Sequence, residues 1–339
     1  MRAARVVAPY EIEYAEVDDP TMSARQVLLQ TRNIGICASD QQIYHGLHRF
    51  AHMPLIMGHE VSASVADVGA EVSGFRVGDL VCVQPQVSCG TCYPCQMGRP
   101  NVCEDLKIFG VHLDGFACEY EALEPHHLHR VPGNVAPEIA VLVEPLSVAV
   151  GSVRRSGRVD GGNVLVMGAG TIGNLVAQAA KGFGAGKVMI ADINQCKLDL
   201  AKSCGIEITV NTQTDDLGDA IRRAFGARRA DVIVDCVALP AVFGQILELA
   251  RPASDIVITG NYKAAPAFDV PMLQRREITM IGHMMYVSDC FDDAIRLLAQ
   301  GQVRTEGLIT QRFAFSQYRD AFSYADTHPL DVMKMIVTV

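Results

Sequence analysis

Four cysteines lie within 15 residues of one another in VSCGTCYPCQMGRPNVCED, residues 87–105. The spacing C-x2-C-x2-C-x7-C of Cys89, Cys92, Cys95 and Cys103 can gather four thiolates around one tetrahedral ion, as in many zinc sites. Four sulfur ligands leave no open position for a substrate, so the pattern predicts a structural zinc site. An iron–sulfur cluster, which uses similar cysteine runs, and an incidental group of thiols are the alternatives.

A second set of residues matches a phosphate-binding loop. Gly168, Gly170 and Gly173 in VLVMGAGTIG follow a predicted strand and open a predicted helix, with Thr171 and Ile172 between them. That context turns a weak three-glycine motif into a specific one. The loop therefore predicts a dinucleotide whose pyrophosphate lies at the helix N-terminus.

An acidic residue follows the glycine loop at the sequence separation typical of a ribose-binding carboxylate. Asp192 ends the next predicted strand, 19 positions after Gly173, and a carboxylate about 20 residues on binds the ribose hydroxyls of NAD. It would also repel the 2′-phosphate of NADP, and Lys197 is the only nearby cation that argues otherwise. We therefore predict NAD; the alternative for Asp192 is an ordinary helix N-cap.

A third set of candidate residues is scattered along the chain. GICASD contains Cys37 and Ser39, MGHE contains His59 and Glu60, and LVEPLS contains Glu144. Each segment is weak evidence alone. Together they offer the nitrogen, sulfur and oxygen donors of an open zinc site, which needs about three protein ligands and one free position.

Two kinds of elements must position these residues. The first part of the chain alternates short β-branched runs with Gly, Pro and Asp turns, which predicts β structure. From about residue 160, strand-like and helix-like runs alternate, which predicts a parallel, doubly wound α/β domain. At 339 residues, two domains are expected.

Composition limits the partners. The net charge is −9 and no basic run stands out, so we expect no nucleic acid and no membrane surface as partner. Nothing resembles a secretory signal or a membrane span, which predicts a cytoplasmic protein. Eleven cysteines in a reducing compartment are then thiols or metal ligands rather than disulfides.

The chain resembles the zinc-containing medium-chain dehydrogenase/reductase family, and within it the polyol and sugar-acid branch that includes sorbitol dehydrogenases. The resemblance covers essentially the whole chain and is carried by GICASD, GHEVSASVADVG, GFRVGDLV, the cysteine lobe, GVHLDGFACEY, EPLSVAV and GAGTIG. It implies a GroES-like catalytic domain over residues 1–147, completed by 285–339, and an inserted Rossmann domain over 148–284. It also implies a homodimer or homotetramer.

The resemblance further implies two zinc ions per chain and NAD. Cys37 and His59 match ligands of the catalytic zinc. Glu144 is favoured as the third ligand because it precedes the proline where the prototype alcohol dehydrogenases have a ligand cysteine, and Glu60 is kept as an alternating ligand. Asp40 matches the carboxylate that orients the histidine, and Ser39 matches the hydroxyl that takes the substrate proton.

The sequence departs from the family pattern at several positions. Gln42 stands where many relatives have a relay histidine, which His45 or His48 could replace unless both are ordinary surface residues. Met285 stands where sorbitol dehydrogenases have an arginine that contacts the polyol, so sorbitol itself is in doubt. His112, in a segment similar to hexonate dehydrogenases, either meets a substrate carboxylate or hydroxyl or has a structural role.

These features predict an NAD-dependent zinc enzyme that oxidises a secondary alcohol of a small-molecule polyol or sugar acid. A threonine-type or butanediol-type zinc dehydrogenase is one alternative. A non-catalytic NAD-binding sensor protein is another, although it would be expected to lack one of the catalytic residues.

Overall fold

The computed structural model describes residues 1–339. Their contacts divide the chain into two compact units. The first contains Met1–Glu144, Val287–Ile295 and Ile309–Val339, and the second contains Pro145–Tyr286 and Arg296–Leu308. The predicted domain limits at 148 and 285 remain predictions. The contact division differs from them mainly at residues 296–308, which the sequence assigned to the first domain.

Eighteen strands form the sheets. They are β1 (Arg2–Ala8), β2 (Glu11–Glu16), β3 (Val27–Ile36), β4 (Leu55–Ile56), β5 (Glu60–Val68), β6 (Leu80–Val83), β7 (Gln86–Val87), β8 (Lys107–Ile108), β9 (Tyr120–Leu123), β10 (Leu128–Arg130), β11 (Asn163–Met167), β12 (Lys187–Asp192), β13 (Ile208–Asn211), β14 (Val232–Asp235), β15 (Asp255–Ile258), β16 (Thr279–Gly282), β17 (Ile309–Ala314) and β18 (Lys334–Thr338).

Eleven α-helices accompany them. They are α1 (Ala38–Tyr44), α2 (Tyr93–Gln96), α3 (Pro137–Ala140), α4 (Val143–Arg155), α5 (Thr171–Gly182), α6 (Gln195–Ser203), α7 (Leu217–Phe225), α8 (Pro240–Leu249), α9 (Val270–Arg276), α10 (Asp289–Ala299) and α11 (Tyr318–Thr327). No helix has the length and apolar character needed to cross a membrane.

The first unit is built mainly from strands, as predicted. Its largest sheet has the order β10-β6-β5-β3-β18-β17, with β9 also paired to β3. The order β2-β1-β4 forms a second sheet, and β7 and β8 pair by themselves. The central strand β3 alternates buried and more exposed side chains at first and is then buried throughout its last four residues, where β5 and β18 flank it.

The second unit contains a parallel sheet of six strands in the order β13-β12-β11-β14-β15-β16. Helices separate its strands along the chain, which confirms the predicted doubly wound α/β architecture. All five residues of β11 are buried, as expected for a central strand covered on both faces. The strand order reverses between β11 and β14, and dinucleotides bind at the carboxyl ends of strands at such a point.

Candidate active site and metal centres

Three candidate ligands meet in the first unit. A sulfur of Cys37, a nitrogen of His59 and a carboxylate oxygen of Glu60 all lie within 4.8 Å of one another. Cys37 directly follows β3, while His59 and Glu60 lie at the start of β5. Because these strands are antiparallel neighbours with Gly35 opposite Glu60, the sheet brings together residues that are far apart in sequence.

Gly35 makes room for the carboxylate of Glu60. A Cβ at position 35 would lie 2.1 Å from Oε2 of Glu60, so only glycine lets this side chain lie across β3. Glu60 is 1% exposed and His59 is 7% exposed, so the cluster is buried. Thiolate, imidazole and carboxylate donors at this separation fit the donor set of a catalytic zinc.

Asp40 lies next to the Nδ1 atom of His59. Its Oδ1 is 3.2 Å from Nδ1 of His59, although the two atoms lack hydrogen-bond alignment, and its Oδ2 accepts the backbone N–H of Cys37 at 2.8 Å. With Nδ1 turned toward Asp40, Nε2 is the nitrogen available to a metal, and Ser39 Oγ lies 3.4 Å from it. The carboxylate is therefore placed to fix the ring orientation, as partners of metal-binding histidines do.

The charges around His59 act on its protonation. Burial alone lowers the pKa of the imidazole, but Asp40 and then Cys37 outweigh burial, and the net pKa lies well above its ordinary value. Without a cation, the anionic groups therefore favour a proton on this ring. A divalent metal would displace that proton, since only the neutral ring coordinates.

A buried lysine completes the surroundings of Glu60. Nζ of Lys334 lies 2.6 Å from both carboxylate oxygens and donates to the Ile36 carbonyl at 3.2 Å. The lysine side chain is 4% exposed. Burial lowers the pKa of this ammonium, but Glu60 and then Cys37 more than compensate, so the net pKa is raised. Nothing in the sequence singles out Lys334, because a lysine within a strand carries no signal of burial.

Glu144 lies outside the three-residue cluster. It is 6% exposed, near the start of α4, and its charge contributes to the raised pKa of Lys334. The sequence favoured Glu144 as the third ligand, whereas the carboxylate gathered with Cys37 and His59 is that of Glu60.

The two histidines that could replace the missing relay histidine, His45 and His48, have different surroundings. His45 Nε2 lies 2.9 and 3.0 Å from the two carboxylate oxygens of Asp326, so this ring is already paired. His48 is half-buried, and its backbone N–H donates to the Gln42 carbonyl at 3.1 Å. The structure thus leaves His48, rather than His45, available to a ligand.

The four cysteines of the lobe also converge. The ligand atoms of Cys89, Cys92, Cys95 and Cys103 lie within 4.8 Å of one another. Sγ of Cys92 is 3.4 Å from that of Cys95 and 3.8 Å from that of Cys103. Four sulfurs around zinc at ~2.3 Å would be separated by about 3.8 Å, so the spacing fits a tetrahedral zinc.

The thiols of the lobe compete for protons. Backbone hydrogen bonds from Cys92 and Thr91 lower the pKa of Cys89 to about 6, while desolvation and the Cys92 thiol raise the pKa of Cys95 to about 12. Adjacent thiols cannot all ionise together without a cation to offset their charge. A bound dication is therefore the arrangement that lets all four act as thiolates.

The glycine loop has the predicted local structure. Gly168 follows β11 with φ +95, a left-handed conformation that favours glycine, and Gly170 is the N-cap of α5. A Cβ at Gly173 would lie 1.8 Å from the Gly168 carbonyl oxygen, whereas a Cβ at Gly170 would meet nothing within 4 Å. Thr171 and Ile172 form the first turn of α5.

Asp192 is held against this loop. It accepts the backbone N–H of Ala169 at 2.6 Å and that of Asn194 at 2.8 Å. The next side chain, Ile193, is 61% exposed and carries no charge. Lys197 lies in the first turn of α6, where its backbone N–H donates to the Asn194 side chain at 3.2 Å. The N-cap of α6 is thus Asn194 rather than Asp192.

Comparisons with known proteins identify the family of the chain. Residues 23–133 match the family model of the alcohol dehydrogenase GroES-like domain, and residues 171–300 match that of the zinc-binding dehydrogenases. The starvation-sensing protein RspB of Escherichia coli K12 is 32% identical over 100% of this chain and 99% of its own. The 2-dehydro-3-deoxy-L-galactonate 5-dehydrogenase of Pseudoalteromonas atlantica is 31% identical over 99% of this chain and 98% of its own.

A solved structure gives the same result. The crystal structure of an alcohol dehydrogenase, rspB from E. coli CFT073, complexed with NADH has a TM-score of 0.91 and 32% identity, covering 100% of this chain and 99% of that one. The chain belongs to the zinc-type alcohol dehydrogenase family, with a GroES-like domain and a dinucleotide-binding domain. The predicted family and fold are confirmed, and the protein is a dehydrogenase by family.

Proposed function

We propose that this protein oxidises a secondary hydroxyl of a polyol or sugar acid with NAD, using zinc held by Cys37, His59 and Glu60. The observation that carries the proposal is the buried cluster of these three side chains beside the Ser39 hydroxyl. Such a site offers three protein ligands and a free position, which a catalytic zinc requires. The reverse reaction would reduce a ketone.

The residues around the cluster have separate roles in this proposal. Asp40 orients His59 through its position at Nδ1. The Ser39 hydroxyl, 3.4 Å from Nε2 of His59, is placed to accept the proton of a substrate alcohol. Lys334 holds the Glu60 side chain through two short contacts within reach of Cys37 and His59. Bound zinc would supply a Lewis acid that lowers the pKa of the alcohol, as it lowers that of water from 15.7 to ~7.

The third ligand can be tested directly. We expect Glu60→Gln to lose zinc from this site, because the neutral amide lacks the negative charge with which a carboxylate binds Zn²⁺. Glu144→Gln is the matched control and should retain the metal. Zinc content measured by mass spectrometry, together with competition against a chelator, separates the two. Loss of metal in the Glu144 variant alone would support the assignment favoured from the sequence.

The cofactor proposed for the second unit is NAD. The glycine loop would receive the pyrophosphate at Gly168, Gly170 and Gly173, and Asp192 would bind the ribose hydroxyls. The uncharged Ile193 offers nothing to a 2′-phosphate. The relative with bound NADH supports this choice. A preference for NADP over NAD in steady-state kinetics would contradict the role given to Asp192.

The substrate class rests on the branch of the family that the chain resembles. A relative covering nearly the whole chain is named as a galactonate-derivative 5-dehydrogenase, and sugar acids of this kind carry several secondary hydroxyls. The test is NADH production across hexonates, C4–C6 alditols, L-threonine and 2,3-butanediol. Turnover of L-threonine or 2,3-butanediol alone would replace the proposed class with the alternative considered above.

A further inference from the structure

Two histidines that have no role in the proposed function lie on loops tied to the segments that carry Cys37 and His59. His48 lies after α1, and His112 lies in the turn that follows β8. Both rings are half-buried. The exposed ring of Phe50 lies near both: its centroid is 6.3 Å from that of His48 and 6.1 Å from that of His112.

Backbone hydrogen bonds hold the turn of His112 against β4 and the short segment between β4 and β5. Gly115 N–H donates to the Ile56 carbonyl at 2.7 Å, and Phe116 N–H donates to the Gly58 carbonyl at 3.1 Å. The close approach leaves no room for side chains, since a Cβ at Gly115 would lie 2.4 Å from the Gly58 oxygen. Gly58 immediately precedes His59, so this turn is fixed relative to the ligand cluster.

The loop of His48 is fixed by hydrogen bonds to helix α1. The backbone N–H groups of Leu47 and His48 both donate to the Gln42 carbonyl, at 2.8 and 3.1 Å. Gln42 belongs to α1, the helix that starts directly after Cys37. The charges of His112, Asp40 and His59 all affect the pKa of His48, which burial lowers first. Because α1 starts directly after the ligand Cys37, the two hydrogen bonds to Gln42 fix the loop of His48 relative to that ligand.

The hydrogen bonds determine which nitrogen of each ring carries the proton. Ile108 N–H donates to Nδ1 of His112 at 3.2 Å, and Phe50 N–H points at Nδ1 of His48 at 3.4 Å. A nitrogen that accepts from a backbone amide carries no hydrogen, so Nε2–H is the donor in each neutral ring. Neither Nε2 has a protein partner. Burial lowers the pKa of both histidines, which favours their neutral forms.

We infer that His48 and His112 form a subsite whose Nε2–H groups donate hydrogen bonds to oxygens of the substrate remote from the reacting carbon. The ligand class is an oxygen-rich chain, with hydroxyls or a terminal carboxylate as acceptors. Arg49, whose guanidinium lies 5.5 Å from the Phe50 centroid, adds a positive charge on the same loop. The inference deepens the proposed function and rests on it.

Two substitutions at each histidine separate recognition from structure. Glutamine can place an N–H donor where Nε2 lies, but it lacks the acceptor at Nδ1. Asparagine can place an acceptor where Nδ1 lies, but it has no donor at Nε2. The subsite therefore requires His112→Gln to keep ligand affinity and His112→Asn to lose it, whereas a purely structural histidine requires the opposite. The same pair applies to His48.

The measurement is calorimetric titration of the zinc-loaded protein with NADH present, using D-gluconate and D-sorbitol as probes. We expect the asparagine variants to weaken binding about tenfold, the size of one lost hydrogen bond, and the glutamine variants to stay within about threefold. An effect on D-gluconate alone identifies a carboxylate as the acceptor, and an equal effect on both probes identifies hydroxyls. Both outcomes support the subsite.

Other outcomes overturn it. The subsite fails if wild-type protein binds neither probe, or if the asparagine variants bind as wild type while the glutamine variants do not. The loss in the asparagine variants should be smaller for 2-butanol, which has no remote oxygen, than for the two probes; an equal loss on all three compounds means general damage to the site. Binding of the probes without NADH production from any hexonate or alditol would instead reject the proposed function and leave the subsite standing.

Discussion

Lys334 and Glu60 form a buried ion pair inside the candidate active site. A buried pair gives little net stability, because desolvation offsets most of the attraction, but breaking it by removing one partner is costly. Here the carboxylate also lies among candidate metal ligands. The lysine therefore supplies a buried positive charge beside the Glu60 carboxylate when no metal is bound.

Replacing the lysine tests this role. In chelator-treated protein we expect Lys334→Met to lower the free energy of unfolding by about 3–5 kcal/mol, because Glu60 is left buried without a cation. The double variant Lys334→Met, Glu60→Gln should recover most of the loss. Saturating zinc should reduce the effect, since a bound cation replaces the ammonium. Urea unfolding measures each value, and a single variant as stable as wild type would contradict the argument.

At the scale of elements, the turn between β11 and α5 contains two glycines that are needed for different reasons. Gly173 permits the helix to pack on the loop, because a Cβ there would collide with the Gly168 carbonyl. Gly170 has open space around it and ordinary φ of −66. Its lack of a side chain matters only when a pyrophosphate approaches the backbone.

These two glycines give a matched pair of variants. We expect Gly173→Ala to lower the thermal midpoint by several degrees and to lose NADH binding with it. Gly170→Ala should keep the midpoint and still weaken NADH binding at least tenfold. Calorimetry and NADH fluorescence titration measure the two properties. Equal loss of stability in both variants would show that Gly170 has a packing role instead.

The short 3-10 turn at residues 125–127 contains a histidine that is sensitive to acid. His127 is buried, and its Nδ1 lies 2.9 Å from the Gln84 carbonyl oxygen. Burial lowers the pKa of this imidazole in the folded protein. Between that pKa and about 6.5, the unfolded chain holds a proton that the folded chain does not, so stability falls as pH drops through this window.

Removing this group should flatten the pH dependence. We expect His127→Asn, which can still donate to Gln84, to lose less stability than wild type between pH 7.5 and 5.5. The slope due to one proton is at most ~1.4 kcal/mol per pH unit. The adjacent, exposed His126→Asn is the control and should follow wild type. Chemical unfolding at several pH values measures the slopes, and identical slopes in all three proteins would refute the assignment.

At the scale of the whole molecule, two metal centres have different duties in the proposed function. The four-cysteine site is saturated by protein sulfurs, whereas the site of Cys37, His59 and Glu60 keeps a free position. The most conspicuous motif in the sequence is therefore the less catalytic one. A metal held there would close a lobe whose base is the strand pair β7 and β8.

The two centres can be removed one at a time. We expect two zinc ions per chain in the native protein and one in either single variant. Cys92→Ala should lower the thermal midpoint or impair assembly first, while Cys37→Ala should abolish turnover in a protein that still folds. Metal analysis, calorimetry and NADH production measure the three properties. A single zinc in native protein, or an unchanged midpoint after Cys92→Ala, would contradict this division.

Local spacing explains what the sequence predicts well. The glycine loop, the cysteine run and the β11-to-β12 pattern depend on residues within about 30 positions, so their geometry follows from short-range rules. The pairing of Glu60 with Lys334 spans 274 positions and leaves no local pattern. The choice between Glu60 and Glu144 depends on how β5 and α4 are placed, which spacing does not encode. Helix α1 escaped prediction because a seven-residue helix carries too little periodicity.

The order of the strands has a consequence for synthesis of the chain. Strand β3 lies between β5 and β18, and Lys334 of β18 is made 274 residues after Glu60. At 5–20 residues per second, about 14–55 s separate the two on the ribosome. Throughout that interval the last four residues of β3 lack the strand that will pair with them on the edge opposite β5, and Glu60 has no lysine. The active-site sheet is therefore finished only after β18 has been made, whatever the cysteine lobe and glycine loop have done before.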